Sequence, residues 1–404
     1  MNPKTIVVVG TLANDPYAGM AWMTMQITTG LRRLGHDVYY FEITSTWPYD
    51  PIRRRRVCDS NYSVPYLKRV LSNFGLENRW AYRQSFSDKS WFGLPEARAE
   101  DLLAKADVVF NITGTSLFAK EGLKTGRLVY YGTDPVWHEL NYANEHKKTL
   151  EIIDEHDDVV TYGENIGRPS CLIPPLPNLR AGTRQPVLLD EWSCSEPTRP
   201  HFTTVGNWEQ KGRDIHFLGQ TYLWSKHHEF LKFIDLPKRI STPIELATNL
   251  ADPRILPNSN EDFIDTIRMG ENAFSILTEN GWKLEDGPSF SSDPLQYRSY
   301  IQASAGEFTV ARDLNVKLKS GWFSERSACY LAAGRPVITQ DTGFGSVLPT
   351  GEGLFSFETM DDILEAFEAI NSDYEHHSKK ALDIAHEFFS AEKVLLKLLD
   401  DLSL

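Results

Sequence analysis

The chain has 404 residues, of which 41% are hydrophobic and 24% are charged, with 10 Trp, 16 Tyr and 21 Phe. This composition is typical of a globular protein with a large core and excludes a disordered chain, and the length predicts two domains. The formal net charge of -13 repels polyanions, which argues against a general nucleic-acid or membrane-surface binder but leaves room for a local basic patch.

The sequence predicts a cytoplasmic protein without a membrane span. The apolar run near the N-terminus is too short for a signal-peptide core, and no stretch reaches the about 18 apolar residues that cross a bilayer. The cysteines lack the spacing of zinc or redox sites, which predicts free thiols in a reducing compartment. They are Cys58, Cys171, Cys194 and Cys329.

Short apolar runs alternate with helical patterns along the first half of the chain, as in a parallel α/β sheet. Residues 5–10 give a β-branched strand pattern ended by glycine, and residues 20–34 place apolar side chains at helical spacing before a second strand at 37–43. The pattern predicts further strands at 106–113, 127–134, 158–163 and 170–175, and helices at 97–105 and 138–155.

Periodicity disappears around residues 180–200, where Pro, Thr and Ser cluster as in an interdomain linker. We predict an N-terminal domain at 1–185, a linker at 186–200, a C-terminal domain at 201–380, and a terminal helix at 381–404 that packs on the domain surface. The second domain has predicted strands at 201–208, 241–249, 307–312, 337–339 and 353–357, and helices at 263–282, 324–334 and 359–370. Thr359 is the predicted cap of the last of these helices.

Open parallel sheets bind ligands at the carboxyl ends of their strands, so we expect the functional site in a cleft between the two domains. The strongest candidate is the start of the helix after Ser324, a good N-cap residue. Its unpaired N–H groups and dipole suit a diphosphate, and Arg326 can add a charge-assisted contact. The alternative is an ordinary helix start, in which Glu325 stabilises the dipole.

Three segments resemble one family. A-A-G-R-P-V-I-T followed by D-T-G-F-G, at 332–345, looks like the donor-binding helix and glycine loop of GT-B glycosyltransferases. Residues 19–38, ending L-R-R-L-G-H-D-V, are similar to the first helix of that family, and V-G-N-W-E-Q-K-G at 205–212 resembles its diphosphate-binding turn. The C-terminal region is most similar to the retaining family-4-like group. The resemblance implies two Rossmann-like domains facing a central cleft, and transfer of a sugar from a nucleotide-diphosphate donor to an unidentified acceptor.

The resemblance also implies donor contacts. Lys211 occupies the lysine position of the diphosphate-binding turn, and Gly343 belongs to the glycine loop. Asn207 stands where the family has arginine, so another cation must compensate if the donor is a diphosphate. The candidates are Arg213, Lys317, Lys319 and Arg326.

Two glutamates that the retaining members carry fall here on Gly321 and Cys329. Both positions are departures, so the resemblance does not indicate the stereochemical outcome. Glu325 is the acidic group nearby, one helical turn before Cys329, and we predict that it contacts a ribose or sugar hydroxyl.

In an inverting transfer, a base must deprotonate the acceptor hydroxyl. The candidates are Asp15, in the loop after the first strand, and Asp134 and His138, which follow a later strand. Asp15 and Asp134 each precede a proline and are equally turn formers, and His138 is equally a helix-start residue.

Four residues are predicted to contact the acceptor or the sugar: Gly19, Trp22, Glu164 and Asn165. Glu164 and Asn165 follow a strand between two glycines, although a glycine turn without a ligand gives the same pattern. Trp22 can stack on a sugar ring, but core packing is the more common role of such a tryptophan.

Two further tryptophans, Trp137 and Trp322, have the same alternatives as Trp22. The four consecutive arginines at 53–56 can grip an anionic acceptor or a nucleic-acid phosphate. A solvated loop is the simpler interpretation of this run.

The sequence lacks the D-x-D triad of metal-dependent transferases and any cluster with metal-ligand spacing. We therefore predict a reaction without a metal or a cofactor, in which the nucleotide sugar is a co-substrate. No G-x-G-x-x-G follows the first strand, which argues against a dinucleotide dehydrogenase. Two alternatives stay open: a nucleotide-sugar epimerase or hydrolase, and a non-catalytic nucleotide-sugar-binding relative.

Overall fold

The computed structural model describes residues 2–169, 171–250 and 272–404. Within this part of the chain, the first half forms an eight-stranded sheet, parallel except for the pair at one edge. From edge to edge its strands are Leu179–Gly182, Asp158–Thr161, Leu128–Gly132, Val108–Ile112, Thr5–Val9, Asp37–Ile43, Trp80–Arg83 and Trp91–Gly93. The chain enters at the centre and winds first to one side and then to the other.

A second sheet follows, with six parallel strands in the described residues. From edge to edge these strands are Lys283–Asp286, Ile244–Thr248, Phe202–Val205, Gly306–Thr309, Val337–Gln340 and Leu354–Phe357. Two small antiparallel hairpins stand apart from the sheets, one pairing Tyr49–Asp50 with Arg55–Arg56 and the other pairing Ile215–Phe217 with Gln220–Tyr222. The predicted two-domain α/β architecture is confirmed.

Helices cover both sheets. In the first half they are Ala18–Arg33, Ser63–Asn73, Glu96–Lys105, Phe118–Glu121, Trp137–Ala143, Lys147–Ile153 and Leu189–Trp192. In the second half they are His227–Lys232, Leu236–Lys238, 272–279, Gly287–Phe290, Pro294–Ala303, Asp313–Leu318, Glu325–Ala332, Phe344–Ser346, Met360–Ser372, Tyr374–Ile384, Ala385–Phe389 and Ala391–Asp401. Each helix in the described residues is too short or too polar to cross a bilayer.

The central strand Thr5–Val9 shows why the first sheet is doubly covered. Ile6 and Val8 pack in one core cluster with the first helix, whereas Val7 and Val9 pack on the opposite face against the helix Glu96–Lys105. Successive side chains of a strand point to opposite faces, so a continuous β-branched run is stable only with helices on both sides.

The terminal helix differs from the surface packing that we expected. Ala391–Asp401 returns to the first domain, where Leu395 and Leu398 are fully buried beside Ile6 and Ile27. An added Cβ at Gly30 would lie 2.5 Å from Leu395 Cδ1, so glycine in the first helix permits this close approach. The amphipathic pattern predicted one helix over 381–404, but the structure divides this stretch among Tyr374–Ile384, Ala385–Phe389 and Ala391–Asp401. The pattern also does not specify which sheet the apolar face covers.

Several local predictions also need correction. Residues 171–175 form no strand, and the edge strand is Leu179–Gly182, inside the stretch that lost periodicity. The predicted helix at 138–155 is interrupted, giving Trp137–Ala143 and Lys147–Ile153. Of the predicted helix at 263–282, residues 263–271 lie outside the described residues. Thr359 does cap its helix, because its hydroxyl accepts a hydrogen bond from Asp362 N at 3.2 Å.

Candidate functional site

A cleft of about 2060 Å³ lies at the carboxyl ends of both sheets. The loops that line it follow strands of each domain, as expected for two facing open sheets. Representative lining residues are Thr11, Thr113 and Thr133 from the first domain, and Gly206, Thr248 and Thr309 from the second. The volume exceeds the 300–1,000 Å³ that is usual for a single small ligand, so donor and acceptor can be held together.

Arg326 lies in the first turn of the helix Glu325–Ala332 and faces this cleft. Its Nε donates to Glu307 Oε1 at 2.5 Å and its Nη1 to the carbonyl of Val205 at 2.6 Å, while Nη2 donates to Thr309 Oγ1 at 2.9 Å. These bonds fix the guanidinium across the ends of two strands. Burial lowers the pKa of Arg326, but the charge and hydrogen bond of Glu307, together with Tyr297 and Tyr330, outweigh burial and hold that pKa above its ordinary value.

Two more cations join Arg326 in the second domain, and we call Lys226, Arg312 and Arg326 the cation cluster. Arg312 follows the strand Gly306–Thr309, forms an ion pair with Asp134 of the first domain, and lies 3.8 Å from the ring of Trp224. Lys226 and Arg312 belong to no sequence motif, so neither could be recognised from the sequence as a site residue.

Lys226 is the member of the cation cluster whose amine has no counter-ion within the described residues. Its Nζ lies 5.7 Å from the ring of Trp322, and this amine makes no hydrogen bond or ion pair to the described residues. Burial, followed by the charges of Arg326 and Arg312, lowers the pKa of Lys226 well below its ordinary value. A group in this state gains most from an incoming anion, which restores the charged form of the amine.

The predicted donor residues divide into two groups. Ser324, Glu325, Arg326, Lys211 and Arg213 line the cleft. Lys317 and Gly343 are outside that lining: Lys317 is paired with Asp313 at 2.8 Å, and Gly343 accepts a hydrogen bond from the amide of Asn165.

Glu325 connects the donor-side helix to the other domain. Its Oε1 accepts from Gln26 Nε2 at 2.8 Å and from Cys329 Sγ at 3.2 Å. The side-chain oxygen of Gln26, Oε1, accepts from the backbone N–H of Leu188 at 3.1 Å and from the indole N–H of Trp192 at 2.9 Å. Gln26 therefore links the first helix, the interdomain segment and the start of the helix Glu325–Ala332.

Burial raises the pKa of Glu325 from 4.5 to about 7. Because the folded-state pKa is raised, the stabilisation that comes from the neutral carboxyl is fully present below pH 4.5 and is lost as pH rises through about 7.

We expect Glu325→Gln to remove this pH-dependent contribution to stability. Urea unfolding at about pH 5 and about pH 8 should show a smaller loss of stability with pH in the variant. Equal pH dependence in both proteins would contradict the assignment.

Asp15 lines the first-domain side of the cleft, where its Oδ1 accepts from Arg56 Nη2 at 2.6 Å. Glu42 holds the loop before Asp15, because its two carboxylate oxygens accept from the backbone N–H groups of Ala13 and Asn14, each at 2.7 Å. Burial raises the pKa of Glu42 to about 8. Glu42 lies inside a strand pattern, so its role could not be recognised from the sequence.

Asp134 and His138 also line the cleft. They flank Val136, whose φ of 85° is rare for a β-branched residue and makes a sharp turn at the helix start. Asp134 is the counter-ion of Arg312. Burial lowers the pKa of His138 to about 4, so this imidazole is neutral and a weak base.

Of the predicted acceptor contacts, Gly19 lines the cleft, whereas Trp22, Glu164 and Asn165 lie outside the lining. The Trp22 ring is completely buried and donates to the carbonyl of Pro294 at 2.8 Å, which places it in the core instead of at a sugar-binding surface. Glu164 is paired with Arg184 at 2.7 Å.

Asn165 joins the two domains, because its amide donates to the carbonyls of Lys319 and Gly343 at 3.0 Å. A Cβ added to Gly321, whose φ is +77°, would lie 2.8 Å from Asn165 N. The absence of a side chain at Gly321 therefore allows the two domains to approach closely here. Trp137 and Trp322 both line the cleft.

No protein-family model matches the sequence, and no curated protein matches it significantly. Solved structures do match. An alpha-glucosyltransferase in complex with UDP and a 13-mer DNA containing a HMU base matches with a TM-score of 0.58 and 11% identity over 100% of both chains. Anabaena Alr3699/HepE in complex with UDP-glucose matches with a TM-score of 0.55 and 10% identity, over 98% of this chain and 99% of that one.

A glycosyltransferase from Rickettsia africae ESF-5 matches with a TM-score of 0.52 and 12% identity, over 99% of this chain and 98% of that one. Structural matches at such low sequence identity establish the architecture of the chain, and its chemistry must be argued from the site. The specific likeness to the retaining family-4-like group stays a prediction. With two wound sheets, a cleft between their carboxyl ends and these full-length structural matches, the chain has the GT-B fold of glycosyltransferases.

Proposed function

We propose that the protein transfers a glycosyl group from a uridine-diphosphate sugar to an acceptor hydroxyl. The observation that carries this proposal is the cation cluster, which lies beside the start of the helix Glu325–Ala332 in a cleft shared by both domains. A diphosphate leaving group needs such a concentration of positive charge. The choice of uridine is supported by the alpha-glucosyltransferase and HepE structures, which hold UDP and UDP-glucose.

The reaction breaks the bond between the anomeric carbon and the diphosphate oxygen and forms a bond from that carbon to the acceptor oxygen. Lys226, Arg312 and Arg326 neutralise the leaving diphosphate, together with the unpaired N–H groups at the helix start. Asp134 competes for Arg312 in the free protein, so donor binding exchanges one anionic partner of this arginine for another. The acceptor lies on the first-domain side of the cleft, where Asp15 takes its proton.

Asp15 is the better candidate base because its ion-pair partner Arg56 is 47% exposed, so water weakens that pair. Asp134 is paired instead with Arg312, which is 15% exposed, and His138 is neutral with a lowered pKa. We expect Asp15→Asn to lower kcat by roughly 10²- to 10⁴-fold, the range that general-base catalysis supplies, while UDP affinity stays unchanged. Steady-state transfer assays and UDP titrations of the same preparation check this prediction. An unchanged kcat would exclude Asp15 as the base.

We propose that transfer needs no divalent cation, because the cation cluster supplies the charge that a metal ion would otherwise provide. Transfer by the metal-stripped protein in excess EDTA should match transfer in added Mg²⁺ or Mn²⁺. A loss of activity in EDTA that Mn²⁺ restores would contradict this proposal.

One observation favours a second candidate function. The family positions at Gly321 and Cys329 carry no carboxylate, as a non-catalytic nucleotide-sugar-binding relative would show. Incubation with UDP-glucose and a panel of hydroxyl acceptors, followed by mass spectrometry, separates the candidates. A glycosylated product supports the transferase, UDP release without any acceptor indicates a hydrolase, and binding without turnover indicates the binding protein.

A further inference from the structure

A hairpin at the mouth of the cleft exposes large apolar side chains. We call residues 47–56 the rim hairpin, which contains the strands Tyr49–Asp50 and Arg55–Arg56. Nine large hydrophobic side chains are exposed within the described residues, and two of them belong to this hairpin: Ile52 at 81% and Trp47 at 52%. A third, Tyr17 at 40% exposure, stacks on Tyr49 with ring centroids 5.8 Å apart.

The rim hairpin also carries the four consecutive arginines at 53–56, which are all exposed. Arg53 and Arg56 are balanced by nearby carboxylates, through ion pairs of 2.9 and 2.6 Å. Arg54 and Arg55 form no ion pair within the described residues. The tip of the hairpin therefore combines an exposed isoleucine with two arginines that have no carboxylate partner in this part of the chain.

We propose that the rim hairpin docks on the surface of an anionic lipid bilayer. Aliphatic and tryptophan side chains gain free energy by entering the headgroup boundary, and flanking arginines are attracted to anionic lipids. A solvated loop explains the arginines, but it does not explain an isoleucine that is 81% exposed on the same hairpin as the exposed Trp47. Binding to nucleic-acid phosphate leaves the same aliphatic tip without a partner.

The net charge of -13 does not oppose docking through this face. Charges farther from the membrane than about 8 Å, the Debye length at physiological ionic strength, are largely screened, so the approaching hairpin sets the attraction. Trp47, Arg54 and Arg56 also line the cleft, and docking therefore places the cleft mouth at the lipid headgroups. The inference goes beyond the proposed function and does not depend on it.

The test is co-sedimentation of the full chain with vesicles of phosphatidylcholine alone and of phosphatidylcholine mixed with phosphatidylglycerol. We expect binding to the mixed vesicles that weakens with added salt. Ile52→Ser, and separately the pair Arg54→Gln and Arg55→Gln, should each weaken it by about tenfold or more. The matched control is Leu218→Ser, since Leu218 is 86% exposed on the other small hairpin and has no neighbouring arginines in the sequence.

Unchanged binding by Leu218→Ser supports docking through the rim hairpin. Three results would overturn the proposal: no binding to the mixed vesicles, equal losses in the Leu218 control, or binding to a single-stranded oligonucleotide in place of vesicles. Thermal melts of all variants confirm that the folded state is retained, which is expected because each altered side chain is exposed.

Discussion

Replacing Lys226 by methionine should weaken donor use without weakening the fold. A hydrogen bond to a charged group contributes about 1.5–3 kcal/mol, so kcat/KM for the nucleotide sugar should fall roughly ten- to a hundredfold. The melting temperature should stay the same or rise, because the variant removes an amine whose pKa is lowered by burial and by two neighbouring arginines. Initial rates of UDP release and thermal melts give both values.

Lys317→Met is the matched control for this variant. The resemblance to the family made Lys317 a donor candidate, but the structure pairs it with Asp313 outside the cleft lining. Its donor kcat/KM should remain within about twofold of the wild-type value, since Lys317 is not among the residues that line the cleft. A larger loss in Lys317→Met than in Lys226→Met would show that the cation cluster is misassigned.

Arg326→Met should be the most destabilising change at the site. It leaves the Glu307 carboxylate buried without its cation, and breaking such a pair costs about 3–5 kcal/mol. The Glu307 carboxylate has 0% exposure, and its Oε2 has no hydrogen-bond partner within the described residues. The free energy of unfolding from urea titrations measures this loss.

A double variant separates stability from function at the same pair. Adding Glu307→Leu to Arg326→Met removes the uncompensated charge, and the stability should return to near the wild-type value because apolar replacement of a buried ion pair is often neutral. Donor affinity should remain low in the double variant, since the cation is absent. Recovery of donor affinity together with stability would indicate a purely structural role for Arg326.

The sequence predicted the features that depend on local periodicity and on short motifs. The alternating strands and helices were recognisable because buried parallel strands read as continuous apolar runs, and Ser324 marked the start of a helix that does face the cleft. Glu164 and Asn165 were predicted to contact the sugar or the acceptor, but neither lines the cleft. The amide of Asn165 instead donates to carbonyls of the other domain.

The features of the site that could not be predicted from the sequence depend on contacts between distant segments of the chain. Lys226 and Arg312 lie 86 positions apart in the numbering, and only the packing of the second sheet brings them to one cleft. Trp22 was predicted to contact the sugar or the acceptor, with core packing as the more common alternative, and in the structure it is buried and donates to the carbonyl of Pro294. Contacts between distant segments leave no periodic signal in one sequence, so the cation cluster could not be predicted, whereas the core role of Trp22 was already the more common alternative.

The central claim is that a diphosphate is bound by the cation cluster, and calorimetric titration with UDP and UMP tests it most directly. We predict that the wild-type protein binds UDP at least about tenfold more tightly than UMP, the effect of about 1.4 kcal/mol from contacts to the second phosphate. This preference should shrink in Lys226→Met and persist in Lys317→Met. Failure of the wild-type protein to bind UDP, or an equal preference in both variants, would contradict the claim.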